Sequence, residues 1–165
     1  MTDMMMLALR WAHVIGACVL IGTGAGIAFF MVMAHRTREP QVIAHTARIV
    51  VIADMLFTAS AVVVQPVTGV MLAAGLGWPF QTPWLVTSIA LYLFIGAFWL
   101  PVVWMQVRMR DLATEAVRSG SPLPRLYYRL YAWWFAFGFP AFGAILVIVW
   151  LMLATLLPQP AEATL

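Results

Sequence analysis

Apolar residues run along this chain in four long stretches, and the polar positions between them are few. The stretches cover about residues 4–33, 43–76, 83–118 and 125–157, and each contains the roughly 20 apolar residues a helix needs to cross hydrocarbon. The pattern predicts an all-α protein, an integral membrane four-helix bundle whose spans run up-down-up-down because short turns join antiparallel neighbours. The first span, Met4 to Met33, exceeds the bilayer minimum, so it tilts or protrudes.

Local punctuation agrees with these bounds. Pro40 suits the first turn of the second helix, where its missing N–H would be unpaired anyway, and Thr82 followed by Pro83 forms an N-cap and first-position pair for the third. Pro66 and Pro101 fall inside spans and are expected to free a backbone carbonyl each. Between spans two and three, residues 75–81 make a short, uncharged, aromatic turn suited to the headgroup level. Residues 108–118 keep helical spacing with charges of both signs, so the third helix is expected to extend into the cytoplasm until Gly120 caps it. Pro158 and Pro160 are expected to end the fourth helix near Leu157, with residues 161–165 as a disordered tail. The whole chain reads as a single transmembrane domain.

Composition narrows the class. Of 165 residues, 64% are hydrophobic and 9% charged, too little polar surface to cover the chain in water, so the lipid bilayer is its main partner. The formal net charge of +3 does not point to nucleic acid, because the basic residues gather at helix ends. There are nine Arg and no Lys; Arg36, Arg38 and Arg48 flank the first connection, Arg108, Arg110, Arg118, Arg125 and Arg129 flank the third, and the second has none. By the positive-inside rule both basic connections face the cytoplasm and the termini face out. A lipoprotein reading of Ile15-Gly16-Ala17-Cys18 is disfavoured, because the apolar run continues past Cys18, which reads as a small packing residue.

Ionisable groups inside spans are costly, which makes each a candidate site. On a repeat of about 100° per residue, Arg10, His13, Gly16, Ala17, Leu20, Gly24 and Ala28 share one face of the first helix, with Gly22 and Gly26 opposite; both faces would allow close helix approach. His13 is either an imidazole bonded to another helix or a ligand, and Arg10 either snorkels to headgroups or meets an anion. Asp54, Thr58, Ala61, Gln65, Thr68 and Gly69 form a polar stripe on the second helix that should face the interior. Its favoured reading is a packing network with Asp54 paired to an arginine at a cytoplasmic helix end; the alternative is a proton or ligand path. Ser88, Tyr92 and Trp99 follow each other at near-helical spacing on the third helix. His35 and His45 read as solvated or interfacial, and no metal site is expected from the pair. Phosphate loops, paired cysteines, nucleophile elbows and zinc-protease helices are absent from the sequence.

Leu9-Arg10-Trp11-Ala12-His13-Val14-Ile15-Gly16, Gly22-Thr23-Gly24, Ala53-Asp54-Met55-Leu56-Phe57-Thr58, Gln65-Pro66, Thr82-Pro83-Trp84-Leu85 and Trp99-Leu100-Pro101 together resemble a bacterial family of predicted integral membrane proteins catalogued as a domain of unknown function. More distantly, the layout resembles the four-helix membrane protoporphyrinogen oxidases that bind haem, and the copper-resistance membrane proteins. The oxidase resemblance implies haem b with His13 as ligand. That family also uses a lysine and a histidine in its third helix, which this chain lacks, so the resemblance does not carry oxidase activity.

His13 lies toward one surface and His35 and His45 toward the other, so at about 1.5 Å per residue no in-chain His pair that includes His13 spans one haem. Met71 could supply the second ligand, as in His/Met cytochromes, or a partner protomer could. The leading expectation is a small haem-associated or redox-associated inner-membrane protein. Alternatives are a non-catalytic membrane subunit or helix-bundle partner without cofactor, with homo-oligomer or partner-protein contacts, and a small transporter using Asp54 and Gln65.

Overall fold

The computed structural model describes residues 2–155. Its elements are α1 (Asp3–Thr37), α2 (Pro40–Ala53), a π-helical turn (Asp54–Thr58), α3 (Ala59–Gly75), α4 (Pro83–Ser119) and α5 (Arg125–Ala154). Because α2, the π turn and α3 follow one another without a break, they form one rod, and four rods result. All four are long and apolar enough to cross a membrane, and the described residues contain no strand. The expected end of the last helix at Leu157, its terminating prolines and the tail lie outside the described residues.

Two boundaries differ from the hydropathy pattern. α1 runs past Met33 to Thr37, because backbone hydrogen bonding continues for as long as side chains can reach solvent. The Thr37 hydroxyl then donates to the Ala34 carbonyl at 2.7 Å, and Arg38 turns the chain with a left-handed φ of 62°. Glycine normally takes that conformation; an arginine there costs roughly 1–2 kcal/mol. The second rod begins at Pro40, whose ring occupies the first helical position. Thr82 is the N-cap of α4, but its hydroxyl donates to the Pro79 carbonyl at 2.6 Å instead of to a free N–H of the helix.

α1 packs along both α2 and α3, α2 packs on α4, α4 on α5, and α5 returns to touch α1. The dense core gathers at the arginine-rich end, where Ile27, Met31 and Ala34 meet Ile43 and Ala47 of α2, Met109 and Ala113 of α4, and Tyr127 and Leu130 of α5. Small residues set the spacing there: Ala113 is 0% exposed, Ala47 2% and Ala116 3%, so backbones approach closely. Outward positions are apolar, among them Trp11, Leu93, Leu100, Phe139 and Trp150, as lipid requires. α4 has 37 residues, about 55 Å of helix, which exceeds a hydrocarbon core of about 30 Å. Its surplus carries the Arg110–Asp111 and Arg118–Glu115 ion pairs at 2.7 and 2.8 Å, both on exposed surface.

The opposite end is looser. α4 meets α2 closely but hardly meets α3, and a proline explains the link that remains. Pro66 has no N–H for the Val62 carbonyl one turn back, and the Tyr92 hydroxyl of α4 donates to that carbonyl. In hydrocarbon no water can substitute for this donor. The small-residue positions Gly22, Gly24 and Gly26 are not used for close packing; a Cβ at any of them would meet nothing within 4 Å. Cys18 is exposed and does not act as a packing residue, because its position on α1 turns away from α2 and α3.

Tyr92→Phe should lower stability by about 0.5–1.5 kcal/mol, the usual worth of one interhelical hydrogen bond in a bilayer. In a Pro66→Ala background, where the helix supplies its own N–H, the same change should cost nothing. Thermal unfolding of the four proteins in one detergent completes the double-mutant cycle, and a coupling of zero would refute the assignment.

Candidate functional site

The polar stripe of the second rod is buried along its length: Asp54, Thr58, Gln65 and Thr68 are between 3% and 8% exposed. It divides into two groups. Near the loose end, Gln65 and Thr68 face α1; in the other group, Asp54 meets α4 with Thr58 one turn along from it.

At the α1–α3 contact, His13 Nδ1 lies 2.8 Å from Thr68 Oγ1, and Gln65 Nε2 donates to the His13 carbonyl at 2.9 Å. The Thr68 hydroxyl donates to the Val64 carbonyl at 2.7 Å, so its proton is already committed. With the hydroxyl assigned to that carbonyl, its oxygen accepts from His13 Nδ1–H, the tautomer whose Nε2 carries the lone pair. Two glycines make this contact possible. A Cβ at Gly69 would lie 3.3 Å from His13 Cε1, and one at Gly16 would lie 3.1 Å from Gln65 Nε2. Absence of those side chains lets the imidazole and the glutamine amide lie flat against the neighbouring backbone.

Arg10 is exposed one turn before His13, as a snorkelling side chain would be. Met71 is 41% exposed on α3 and takes no part in the His13–Thr68–Gln65 contact. His45 is exposed at the far end. Among the described residues no three His, Cys, Asp or Glu side chains converge in a metal-binding group.

The second group corrects the expectation for Asp54. No arginine reaches it; the ion pairs among the described residues are both on the surface extension of α4. Its partners are neutral donors. Trp99 Nε1 approaches Oδ1 at 3.5 Å, and the Gln106 amide, oriented by its neighbours, donates to Oδ2 at 3.1 Å while its oxygen accepts from Trp134 Nε1 at 3.2 Å. Gln106 thus ties the second rod to α5 through α4. The Thr58 hydroxyl, one turn from Asp54 and 8% exposed, has no partner among the described residues. All of this sits on the π turn, whose wider i→i+5 bonding shifts the register of Asp54 relative to Thr58. The Ser60 hydroxyl donates to the Leu56 and Phe57 carbonyls at 2.7 and 3.0 Å, supplying donors at the place where the helical ladder changes pitch.

Sequence reasoning does not reach Gln106 and Trp134, although a signal exists: Trp99 and Gln106 are seven residues apart, continuing the Ser88-Tyr92-Trp99 stripe by two more turns. His35, read as solvated or interfacial, is half-buried. Its ring stacks on Tyr131 with centroids 3.7 Å apart and planes 4° from parallel, and its Nδ1 lies 3.4 Å from the Tyr127 hydroxyl. The aromatic start of α5 is therefore a packing surface for α1 as well as an interfacial belt.

Residues 7–155 match the family model described as predicted integral membrane protein (DUF2269), and the chain belongs to that family. No curated protein and no solved structure matches it.

Removing Gln106 should strand two buried groups at once. Gln106→Leu is expected to lower stability by about 1–3 kcal/mol, whereas Gln41→Leu, an exposed change on α2, should move it by less than about 0.5 kcal/mol. Chemical or thermal unfolding in detergent measures both, and equal effects would remove Gln106 from the network.

Proposed function

We propose that this integral membrane protein binds haem b through His13 and serves membrane redox chemistry, with its arginine-bearing turns on the cytoplasmic side of the bacterial inner membrane and its termini outside. The observation that carries the proposal is the 2.8 Å contact between His13 Nδ1 and Thr68 Oγ1: when Thr68 accepts from Nδ1–H, Nε2 is left as a neutral, oriented ligand. Iron-ligating histidines are commonly oriented in this way by a hydrogen bond to the other ring nitrogen.

His13 would hold the iron, and Arg10, one turn away and exposed, would supply a cation of the kind that pairs with a propionate. Met71, 41% exposed, is not included in this set. His35 is 22 residues further along α1, about 33 Å, so it would not share a haem held by His13. Bound at this position, haem would supply one-electron redox chemistry; the chain would supply the ligand, its orientation and an apolar surround.

A second reading, a non-catalytic subunit whose polar groups only fix helix packing, is favoured by the Asp54–Gln106–Trp134 chain, which joins three rods with no open donor set. The two readings diverge in a spectrum. Protein purified in mild detergent from cells with ample haem should show a Soret band that disappears in His13→Ala, persists in Met71→Ala, and falls in occupancy by roughly 10–100-fold in Thr68→Val at limiting haem. A colourless preparation of folded protein would sink the haem proposal and leave the packing reading.

A further inference from the structure

The end of the bundle opposite His13 carries a different arrangement. His35, Arg36, Arg38 and Tyr128 line an open-mouthed cavity of about 520 Å³ where α1 turns into α2 beside the start of α5. Neither arginine is in an ion pair among the described residues, and no acidic side chain lines the cavity. His35 cannot swing away, because Tyr131 stacks on its face at 3.7 Å and the edge of Tyr128 meets it at 5.8 Å. Arg38 holds its left-handed φ of 62° at a position where glycine would be relaxed, and it is the one non-glycine residue with positive φ among those described. That backbone carries the Arg38 side chain to the same cavity as Arg36.

An anion would meet two guanidinium groups, an imidazole and a phenol there, a donor set suited to the oxygens of a phosphate. The surface below the cavity says what the anion is attached to. Phe30 and Met33, 61% and 39% exposed, precede Arg36 on α1 by about two turns and one turn, so exposed apolar side chains stand on the helix just before the arginines. We propose that this cavity binds the phosphate of an anionic phospholipid whose acyl chains lie on that surface. The site is independent of any haem at His13.

Delipidated protein in neutral detergent can be titrated with phosphatidylglycerol or with phosphatidylcholine of the same chain length and the bound fraction read by native mass spectrometry. Phosphatidylglycerol should bind more tightly, and each of Arg36→Gln and Arg38→Gly should weaken it by about fivefold while leaving phosphatidylcholine unchanged. Arg38→Gly also guards against misfolding as the cause, since glycine suits the left-handed turn; its melting temperature should equal or exceed that of the parent. Equal affinity for the two lipids, or unchanged preference in both variants, would overturn the site. Complete displacement of phosphatidylglycerol by inorganic phosphate at matched ionic strength would overturn the lipid as occupant and assign the cavity to a free anion.

Discussion

Hydrocarbon offers no hydrogen bonds, and most of this architecture follows from that single fact. Four helices satisfy most of their own backbone groups, and at two departures from helical bonding a side chain supplies the donor. Pro66 leaves the Val62 carbonyl open, and Tyr92 closes it from another rod. The π turn at Asp54–Thr58 disturbs the ladder, and Ser60 donates to two of its carbonyls. Polar side chains obey the same rule, so His13 finds Thr68, Gln65 finds the His13 carbonyl, and Gln106 serves both Asp54 and Trp134. Thr58 is the exception within the stripe, and it lies beside the buried acid.

The bundle is uneven along its axis, which separates its two chemistries. Close packing of alanines and methionines welds α1, α2, α4 and α5 at the arginine-rich end. Toward the other end α3 leans on α1, and α4 keeps its distance except through Tyr92. The His13–Thr68–Gln65 contact belongs to this looser region. At the packed end the aromatic start of α5 stacks on His35, next to the exposed Arg36.

Much of this was legible in the residues. Four apolar runs, the Pro40 and Pro83 starts, the Gly120 stop and the inward stripe from Asp54 to Thr68 all follow from periodicity, because helix geometry maps spacing directly onto faces. The free carbonyl at Pro66 was also readable, since a missing N–H is a property of the residue itself. What escaped was pairing between rods. Asp54 was expected to meet an arginine and meets Gln106 and Trp99; His35 was expected to be solvated or interfacial, and its stacking partner Tyr131 was not foreseen; the glycines at 22, 24 and 26 were available for contact and are unused.

The chain's own order of apolar and charged residues determined that it lives in a membrane, how many times it crosses, and which residues share each helical face. Those are one-dimensional properties, set by transfer free energy and by 3.6 residues per turn. Tertiary structure alone decided which face meets which. Small residues and polar groups occur on several faces, and lipid is as apolar as the helices it covers, so hydrophobicity does not choose among them. The choice came from fit: an imidazole over Gly69, a glutamine amide over Gly16, and an amide between a carboxylate and an indole.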